Sequence, residues 1–344
     1  MRAAGFYKHG GPEVLETIEV EDPMPGENDV IVRVPCTSVN PLDLLVRKGV
    51  HGLKLEMPHI PGCDVSGKVE EVGKNVRGLE VGDPVIASTV FGCGTCKACL
   101  SNDEVSCRDW KTIGLQTNGA YGELVKIPAA NALRRPTNYS DEELACLPIS
   151  LSISWRALHV LAKAKEGETV LIRAASGNAG LFCVALAHAM GLKVIALTRG
   201  SEKRDLLRKR GADHVLDYNS GEENTIKEVL ELTNGEGADI VIESMGATLG
   251  SSPLLTKVSG RIVLFGTVAG ANANVNVMPF YLKNITVFGT RNANRQEFGE
   301  ALAFISEHNI RPLIAKRMGI EEAAEAHRLL ESYSLFGKIV LKHR

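Results

Sequence analysis

The sequence lacks the features that would direct a chain to nucleic acid or into a membrane. Its 344 residues carry 39 Lys and Arg against 41 Asp and Glu, so no excess of positive charge attracts phosphate backbones or anionic lipids. No uninterrupted apolar run approaches the roughly 18 residues that a membrane-spanning helix needs. Residues 1–11 are polar and glycine-rich, without the apolar core of a secretion signal. We therefore expect a cytoplasmic protein that binds small molecules, with no nucleic acid and no membrane as partner.

Cysteine is the residue type whose distribution is most uneven. The chain has eight cysteines, and without a secretion signal we expect reduced thiols rather than disulfides. Four of them follow the spacing C-x2-C-x2-C-x7-C on a short segment that contains glycine: Cys93, Cys96, Cys99 and Cys107. Four thiolates can close a tetrahedral site with no open coordination position, as in structural zinc sites. An iron–sulfur cluster is the alternative, but no proline follows Cys107, and the sequence favours one structural Zn²⁺ per chain.

Two regions of the chain differ in their secondary-structure pattern. Residues 1–128 predict strands separated by turns that contain Gly and Pro, with few helices. From about residue 168, short apolar runs alternate with helical segments, which predicts a parallel sheet covered on both faces. A helix over 296–308 and a strand over 338–341 follow and are too little for a third domain. The predicted fold class is therefore α/β, with a β-rich domain, a doubly wound parallel-sheet domain and a tail that returns to the first.

A glycine-containing turn joins the first strand of the second region to an alanine-rich helix. The turn reads Ala175-Ser176-Gly177-Asn178-Ala179-Gly180, with Ala175 in place of the first glycine of the usual pattern. Gly177 would let the backbone approach a pyrophosphate, Gly180 would let the helix pack on the strand, and the helix N-terminus offers free N–H groups. A turn without a ligand is the alternative. The strand before the turn, the helix after it and a second strand about 20 residues on favour dinucleotide binding.

The end of that second strand bears on the choice of cofactor. NAD-specific sites place an acidic residue here for the ribose 2′-hydroxyl, whereas this strand ends in Thr198 and Arg199, with Lys203 nearby. Cations without a carboxylate suit the 2′-phosphate of NADP(H). The alternative is that both cations are solvated charges at a helix start.

These motifs together resemble the medium-chain dehydrogenase/reductase superfamily, which contains the zinc alcohol dehydrogenases and the quinone oxidoreductases. The resemblance covers essentially the whole chain. It implies a GroES-like catalytic domain over 1–128 and 291–344, an inserted Rossmann domain over 129–290, and a homodimer or homotetramer. The four-cysteine segment matches the structural zinc lobe of the alcohol dehydrogenase branch.

The catalytic metal positions of that branch are not matched. Asn40 stands where the branch has Cys, Cys63-Asp64 where it has a His-Glu pair, and Ser150 where it has another Cys. Two ligands at most, with no histidine, would bind zinc poorly. The segments VNPLDLLVRKG and PGCDVSG and the Ala-Ser-Gly-x-x-Gly turn are similar to the quinone oxidoreductase branch, whose members lack zinc. The chain resembles a hybrid with the structural zinc retained and the catalytic zinc lost.

The resemblance also implies contacts to the cofactor. Asn40 and Ser154 match positions that line the nicotinamide and the substrate. Gly266 and Val268 match backbone contacts to the carboxamide, and Tyr218 matches a position beside the adenine.

Three further residues are candidates for the chemistry. His51 stands where quinone oxidoreductases and related enoyl reductases often carry a tyrosine. The ordinary pKa of histidine, about 6.5, suits a general acid at neutral pH. The alternative, to which we give equal weight, is that His51 is an exposed loop histidine without a catalytic role. Asp64 is a catalytic candidate that could instead bond backbone N–H groups in its turn, and Cys63 is expected to be a small buried apolar side chain.

The expected reaction follows from the missing catalytic metal. Without a Lewis acid, nothing stabilises the alkoxide of a direct alcohol oxidation, whereas a conjugated acceptor delocalises the charge that hydride adds. We therefore expect an NADPH-dependent, catalytic-zinc-independent oxidoreductase acting on a quinone, an α,β-unsaturated carbonyl or an activated ketone. The alternatives are a zinc alcohol dehydrogenase with atypical ligands and an NADPH-binding sensor or structural protein without activity.

Overall fold

The structure is a computed structural model that describes residues 1–49 and 53–343. The chain divides into two compact units, unit 1 over Met1–Ser152 and Ala293–Arg344 and unit 2 over Ile153–Asn292. Within the described residues, no helix combines the length and the apolar character that crossing a bilayer requires.

The elements are numbered in chain order. The strands are β1 Arg2–Gly5, β2 Glu16–Glu19, β3 Asp29–Arg33, β4 Cys36–Ser38, β5 Ser66–Val72, β6 Pro84–Ala87, β7 Val90–Phe91, β8 Lys111–Thr112, β9 Leu124–Pro128, β10 Ala132–Arg134, β11 Thr169–Ile172, β12 Lys193–Thr198, β13 His214–Asp217, β14 Ala238–Glu243, β15 Thr256–Leu264, β16 Thr286–Gly289, β17 Ile314–Gly319 and β18 Lys338–Lys342. The helices are α1 Pro41–Lys48, α2 Lys97–Leu100, α3 Asp141–Leu144, α4 Pro148–Trp155, α5 Asn178–Ala189, α6 Arg204–Lys209, α7 Glu222–Leu232, α8 Ser252–Leu255, α9 Met278–Leu282, α10 Arg295–Glu307 and α11 Ala323–Glu331. A π-helical segment, Arg156–Leu161, continues α4.

Unit 1 contains antiparallel sheets and one mixed sheet. A five-stranded sheet has the order β10-β6-β5-β3-β9, and a three-stranded sheet has the order β17-β18-β4. Strand β18 pairs in parallel with β17 and antiparallel with β4. A strand from beyond residue 293 thus completes a sheet with a strand from the first segment. The predicted α/β fold class is confirmed.

Unit 2 contains one parallel sheet of six strands in the order β13-β12-β11-β14-β15-β16. The central strands β11 and β14 are buried along almost their whole length, as expected for strands covered on both faces. From β11 the chain adds strands β12 and β13 on one side of the sheet, and then β14, β15 and β16 on the other. The carboxyl ends of β11 and β14 therefore flank the point at which such sheets bind ligands.

The first compact unit extends beyond residue 128, where the sequence pattern predicted a break. Strand β10 pairs with β6 of the five-stranded sheet, and the hydroxyl of Tyr139 donates to the carbonyl of Ile305 in α10 at 2.9 Å. The segment after 128 therefore packs within unit 1 before the chain passes into unit 2.

Candidate functional site

The four clustered cysteines converge around one point in unit 1. The Sγ atoms of Cys93, Cys96, Cys99 and Cys107 all lie within 4.8 Å of one another, and no other such group occurs among the described residues. The sulfur of Cys96 is 3.6 Å from that of Cys99 and 3.7 Å from that of Cys107. A tetrahedron with Zn–S bonds of about 2.3 Å places its sulfurs about 3.8 Å apart, so the four thiols fit zinc.

The four cysteines lie within residues 93–107, which we call the four-cysteine lobe, and backbone amides of this lobe form hydrogen bonds to cysteine sulfurs. The amides of Cys93 and Cys96 each point at a cysteine sulfur at 3.4 Å. Hydrogen bonds from Thr95 and then Cys96 lower the pKa of the Cys93 thiol to about 6, which favours the thiolate that a metal requires. Gly92 is needed for space, because a Cβ there would lie 2.4 Å from the Sγ of Cys99.

The lobe also holds the beginning of α10. The carboxylate of Glu104 accepts a hydrogen bond from the amide of Arg295 at 2.7 Å. The carbonyl of Asn102 accepts from the side chain of Asn294 at 3.0 Å, and its side-chain oxygen accepts from Arg295 at 3.1 Å. Asn294 itself caps α10 through the amide of Glu297 at 2.8 Å. The lobe therefore fixes the point at which the chain re-enters unit 1.

The glycine turn lies at the carboxyl end of β11 in unit 2. Ala174 adopts a left-handed conformation with φ of 53°, and Gly177 precedes the first turn of α5. A Cβ on Gly180 would lie 2.4 Å from the carbonyl oxygen of Ala174, so only glycine lets α5 pack this closely. Gly177 is exposed, and Ser176, Asn178 and Ala179 are half-buried around it.

The end of β12 lies beside this turn, since β11 and β12 pair in register. Thr198 is buried, Arg199 is exposed, and the guanidinium carbon of Arg199 lies 5.6 Å from the centre of the Tyr218 ring. One carboxylate is also present, because Asp217 is the register partner of Thr198. It accepts from the amide of Asn219 at 2.9 Å and lies 3.4 Å from Arg204.

The predicted cofactor residue Ser154 lies in α4, and Gly266 and Val268 lie in the loop after β15. The hydroxyl of Ser154 donates to the carbonyl of Ala179 in the glycine turn at 2.9 Å. Gly266 follows β15, where a Cβ would lie 2.5 Å from the carbonyl oxygen of Ser244. Val268 is 45% exposed although it is apolar, which leaves its side chain open to a ligand.

A buried ion pair occupies the predicted catalytic segments of unit 1. The ammonium of Lys338, only 2% exposed, donates to the side-chain oxygen of Asn40 at 2.6 Å and to Oδ2 of Asp64 at 2.9 Å. Its third proton goes to the hydroxyl of Ser38 at 2.8 Å. The other oxygen of Asp64 accepts from the amide of Ile149 at 2.9 Å. Asn40 and Asp64 are thus brought together, as parts of one saturated polar cluster.

A second buried chain of hydrogen bonds begins at Cys63. Its thiol donates to Asp43 at 3.3 Å, and Asp43 also accepts from the amide of Asn40 at 2.8 Å. The Tyr121 hydroxyl lies 3.5 Å from the same carboxylate and 2.9 Å from Nε2 of His327. Burial raises the pKa of Asp43 to about 7 and that of the Cys63 thiol well above its ordinary value. Cys63 is therefore a buried, unreactive thiol.

Arg47 fixes the direction in which the hydrogen bonds from His327 to Tyr121 are donated. A guanidinium can only donate, so Arg47, 3.1 Å from Nδ1 of His327, makes that nitrogen an acceptor. The neutral ring then carries its proton on Nε2 and donates to Tyr121. Burial and the charge of Arg47 lower the pKa of His327 to about 3. His51, the predicted proton donor, lies outside the described residues.

Comparison with known proteins agrees with this architecture. Residues 26–137 match the model of the alcohol dehydrogenase GroES-like domain, and residues 179–307 match that of the zinc-binding dehydrogenases. An acryloyl-coenzyme A reductase of Sulfurisphaera tokodaii is 30% identical over 94% of this chain and 95% of its own. The chain belongs to the medium-chain dehydrogenase/reductase superfamily.

Other members of the superfamily are similar over the full length. A quinone oxidoreductase of Rattus norvegicus is 29% identical over 99% of this chain and 97% of its own. The crystal structure of an NAD-dependent alcohol dehydrogenase superposes with a TM-score of 0.94 at 33% identity, and each chain is covered completely. Like these medium-chain relatives, the protein is an oxidoreductase of the pyridine-nucleotide-dependent class.

Several residues of these sites were missed by sequence reasoning, among them Lys338, Asp217 and Arg173. Lys338 is the first residue of β18, and the strand also ends in a lysine, the exposed Lys342, so no local pattern marks Lys338 as the buried one. Asp217 ends the strand after β12, and only the strand register brings it beside Thr198. Arg173, 1% exposed just before the glycine turn, donates to both oxygens of Glu222 at 2.8 and 2.9 Å, and no local pattern announces that contact.

Proposed function

We propose that this oxidoreductase transfers hydride from NADPH to an electron-poor carbonyl compound without a catalytic metal. The observation that carries the proposal is the hydrogen-bonded ammonium of Lys338. It donates to the side-chain oxygen of Asn40 and to Oδ2 of Asp64, while the amide of Ile149 donates to Oδ1 of Asp64. Asn40 and Asp64 lie on the two segments where the alcohol dehydrogenase branch supplies metal ligands. Of the remaining donors there, the Cys63 thiol is engaged with Asp43. This donor set does not fit zinc.

The acceptor must therefore stabilise its own added charge. In a quinone or an α,β-unsaturated carbonyl, the electron pair of the hydride forms the new bond to hydrogen, and the π electrons that it displaces move through the conjugated system onto the carbonyl oxygen. A proton then completes the reduction. NADPH, when bound, supplies the hydride, and the chain has to bind the acceptor, exclude water and deliver the proton. We assign proton delivery to His51, and to Asn40 and Asp64 the positioning of the segments around them through Lys338.

Among these acceptors, an α,β-unsaturated thioester has the most support. The Sulfurisphaera relative is named an acryloyl-coenzyme A reductase, whose substrate by that name is a conjugated thioester. The rat relative is named a quinone oxidoreductase. The activities in both names add hydride to a conjugated system.

The proposed cofactor is NADP(H), held by the glycine turn and the end of β12. Ser176, Gly177, Asn178, Ala179 and Gly180 present the N-terminus of α5 to the pyrophosphate. Thr198, Arg199 and Lys203 receive the 2′-phosphate. The carboxylate of Asp217 lies beside Thr198, and Arg204 and the amide of Asn219 already engage it.

One structural zinc per chain is proposed for the four-cysteine lobe. When bound, it would cross-link the lobe through its four thiolates and leave no open coordination position. We also propose that the protein acts in the reducing cytoplasm, supported by eight free thiols, and that it works as a homodimer or homotetramer.

A substrate panel tests the proposed reaction on protein whose zinc content has been measured. Crotonyl-coenzyme A, a quinone, a cyclic enone, a cyclic ketone and an aldehyde are each followed by loss of NADPH absorbance. We expect turnover with the conjugated acceptors, one zinc per chain, and no loss of rate in the presence of a chelator that leaves the structural zinc in place. A His51→Phe variant should lose most of its rate, and full rate would remove His51 from the mechanism.

The alternatives predict other results. Two zinc ions per chain with oxidation of simple alcohols would indicate a zinc alcohol dehydrogenase with atypical ligands. NADPH binding without turnover of any acceptor would indicate a sensor or structural protein.

A further inference from the structure

A buried carboxylate lies at the end of β14, at the carboxyl edge of the unit 2 sheet. Glu243, 0% exposed, accepts through Oε1 from the backbone amides of Met245 at 2.7 Å and Gly246 at 3.2 Å. Its other oxygen, Oε2, accepts from the hydroxyls of Thr248 and Ser252, each at 2.9 Å. A backbone amide can only donate, so the ionised carboxylate suits these partners and fixes the course of the chain directly after β14.

Arg173, directly after β11, balances the charge of Glu243. Its Nε lies 3.5 Å from Oε2 of Glu243. The side chain is 1% exposed, and its other nitrogens donate to Glu222 at 2.8 and 2.9 Å and to the hydroxyl of Ser251 at 3.1 Å. A buried charge without a partner is strongly destabilising, and this guanidinium supplies the counter-charge. The side chain of Glu243 is therefore fixed from the end of β11, and it fixes the loop after β14 in turn.

The loop that Glu243 holds contacts a second loop, the one after β15. Three successive backbone contacts join residues 244–246 to residues 268–270. They are the carbonyl of Ser244 with the amide of Val268 at 3.3 Å, the carbonyl of Met245 with the amide of Ala269 at 2.9 Å, and an isolated β-bridge between Gly246 and Gly270. Because all three contacts join backbone atoms, the position of the second loop depends on that of the first.

We propose that Glu243 is a positioning residue for the nicotinamide end of the cofactor. It acts through residues 244–246 on residues 266–270, where Gly266 and Val268 are the predicted backbone contacts of the carboxamide. The inference rests on those predicted contacts and on the proposed use of NADP(H). A displacement of about 1 Å from the geometry of reaction can lower a rate about a hundredfold, so the fixed position of this loop would serve hydride transfer directly.

Binding of the whole cofactor and of a fragment tests this role. Dissociation constants for NADPH and for 2′,5′-ADP, which lacks the nicotinamide, are measured by titration calorimetry for the wild type and Glu243→Gln. The Gln side chain keeps the shape but has one acceptor oxygen and no charge for Arg173. We expect NADPH to bind about tenfold more weakly and 2′,5′-ADP to stay within about twofold of the wild type. The fluorescence of bound NADPH, which reports the surroundings of the nicotinamide ring, should move toward that of the free cofactor.

Asp239→Asn is the matched control, because Asp239 lies near the start of β14 and its carboxylate accepts from the amide of Thr169 at 2.9 Å. It should leave the difference in affinity between NADPH and 2′,5′-ADP unchanged. Gly246→Ala is a second variant, since a Cβ there would lie 2.3 Å from the carbonyl oxygen of Gly270 and would separate the two loops while the Glu243 side chain is kept. It should reproduce the loss specific to NADPH, and it replaces Glu243→Gln if that variant fails to fold, as judged by its melting temperature.

The outcomes separate this inference from the proposal on which it rests. If Glu243→Gln weakens NADPH and 2′,5′-ADP by the same factor, or weakens neither, Glu243 has no particular role at the nicotinamide end and the inference is overturned. A loss in Glu243→Gln that Gly246→Ala does not reproduce would also overturn it, because the effect would not pass through the two loops. A wild type that binds NADH but not 2′,5′-ADP would refute the proposed NADP(H) preference alone. The comparison of NADH with ADP would then decide the inference, because both cofactors share the nicotinamide end.

Discussion

Lys338 and Asp64 illustrate how a single residue pair can decide the chemistry of a segment. Both side chains are buried, at 2% and 0% exposure, and their charges are compatible with the interior only because Ser38, Asn40 and the amide of Ile149 satisfy the remaining hydrogen-bonding atoms. Such a pair adds little net stability compared with an apolar core, but removal of one partner leaves an uncompensated charge.

Replacement of Lys338 should therefore be costly. We expect Lys338→Met to lower the free energy of unfolding by about 3–5 kcal/mol, because Asp64 loses its counter-charge in a site without water access. Urea unfolding at neutral pH measures the change, and Lys338→Arg should recover part of it. The matched control is Lys316→Met on the exposed face of β17, which should change stability by no more than about 0.5 kcal/mol. Equal effects of the two Met variants would contradict this account.

His327 gives a pH-dependent prediction. Its pKa falls from 6.5 unfolded to about 3 folded, because of burial and then Arg47, so between these values the unfolded chain binds the extra proton. The stability contributed by the neutral ring is present above pH 6.5 and is lost as the pH falls toward 3. We expect this group to account for several kcal/mol over that range, because each pH unit between the two pKa values corresponds to about 1.4 kcal/mol.

Comparison of unfolding curves for wild type and His327→Gln isolates the effect of this residue. The Gln variant keeps an acceptor for Arg47 and a donor for Tyr121, so its stability should depend less steeply on pH. Asp43, whose pKa is raised to about 7, contributes in the opposite direction in both proteins and cancels in the difference. His308→Gln, at an exposed position, should leave the slope unchanged; a slope unchanged in His327→Gln would contradict the assignment.

Residue-level prediction from the sequence succeeds where the spacing along the chain sets the geometry. The four cysteines come together because their separation is local, and Gly180 has no room for a Cβ, as the turn pattern requires. Lys338 and Asp217 meet their partners through strand pairing, over separations that no local pattern contains. The cofactor and catalytic roles of the predicted residues stay predictions.

At the scale of elements, hydrogen bonds link the four-cysteine lobe to the start of α10. They join Asn102 and Glu104 of the lobe to Asn294 and Arg295 at the helix N-terminus. Because the lobe contains only short helical turns, its shape depends on the bonds that hold the four thiols together. The start of α10 should therefore depend on the metal.

Removal of zinc should loosen the first turn of α10. Hydrogen exchange read by mass spectrometry should show the amides of Arg295 and Glu297 exchanging about tenfold faster after zinc is extracted with a chelator, the equivalent of about 1.4 kcal/mol in local opening. Helix α11 serves as the internal control and should keep its protection. Unchanged exchange at α10 after complete loss of zinc would show that the lobe keeps its shape without metal.

The parallel sheet of unit 2 followed the sequence closely. The alternation of short apolar runs with helical segments, predicted from about residue 168, corresponds to the six strands of this sheet and the helices between them, because buried parallel strands have a simple apolar signature. The helix predicted over 296–308 is α10, shifted by one residue where Asn294 caps it. The end of the first unit was harder to place, since β10 and Tyr139 join it through long-range contacts.

At the scale of the whole molecule, one edge of the parallel sheet is unprotected. Strand β16 has exposed residues along most of its length and carries no charge or proline, although such guards are usual on edge strands. In α9, just before it, Tyr281 and Leu282 are 63% and 64% exposed. These features favour pairing of β16 with the same strand of a second copy.

A substitution on that edge tests the assembly. If the proposed homodimer or homotetramer pairs through β16, Val287→Lys at the centre of this strand should lower the mass measured by light scattering at micromolar concentration, because a charge in a strand pair is costly. Val81→Lys is the control, since Val81 is 66% exposed in unit 1, and it should not change the mass. An unchanged oligomer in Val287→Lys would place the interface elsewhere.

The division of unit 1 into two segments has a consequence for its biosynthesis. Unit 2 is continuous, so all of its sheet can form as soon as residues 153–292 have left the ribosome. The core of unit 1 cannot, because Ile339 and Leu341 belong to the same apolar cluster as Ala3 and Phe6, and β4 has to wait for β18. During translation, the apolar residues of the first segment that pack with Ile339 and Leu341 therefore stay without these partners until the last strand has been made.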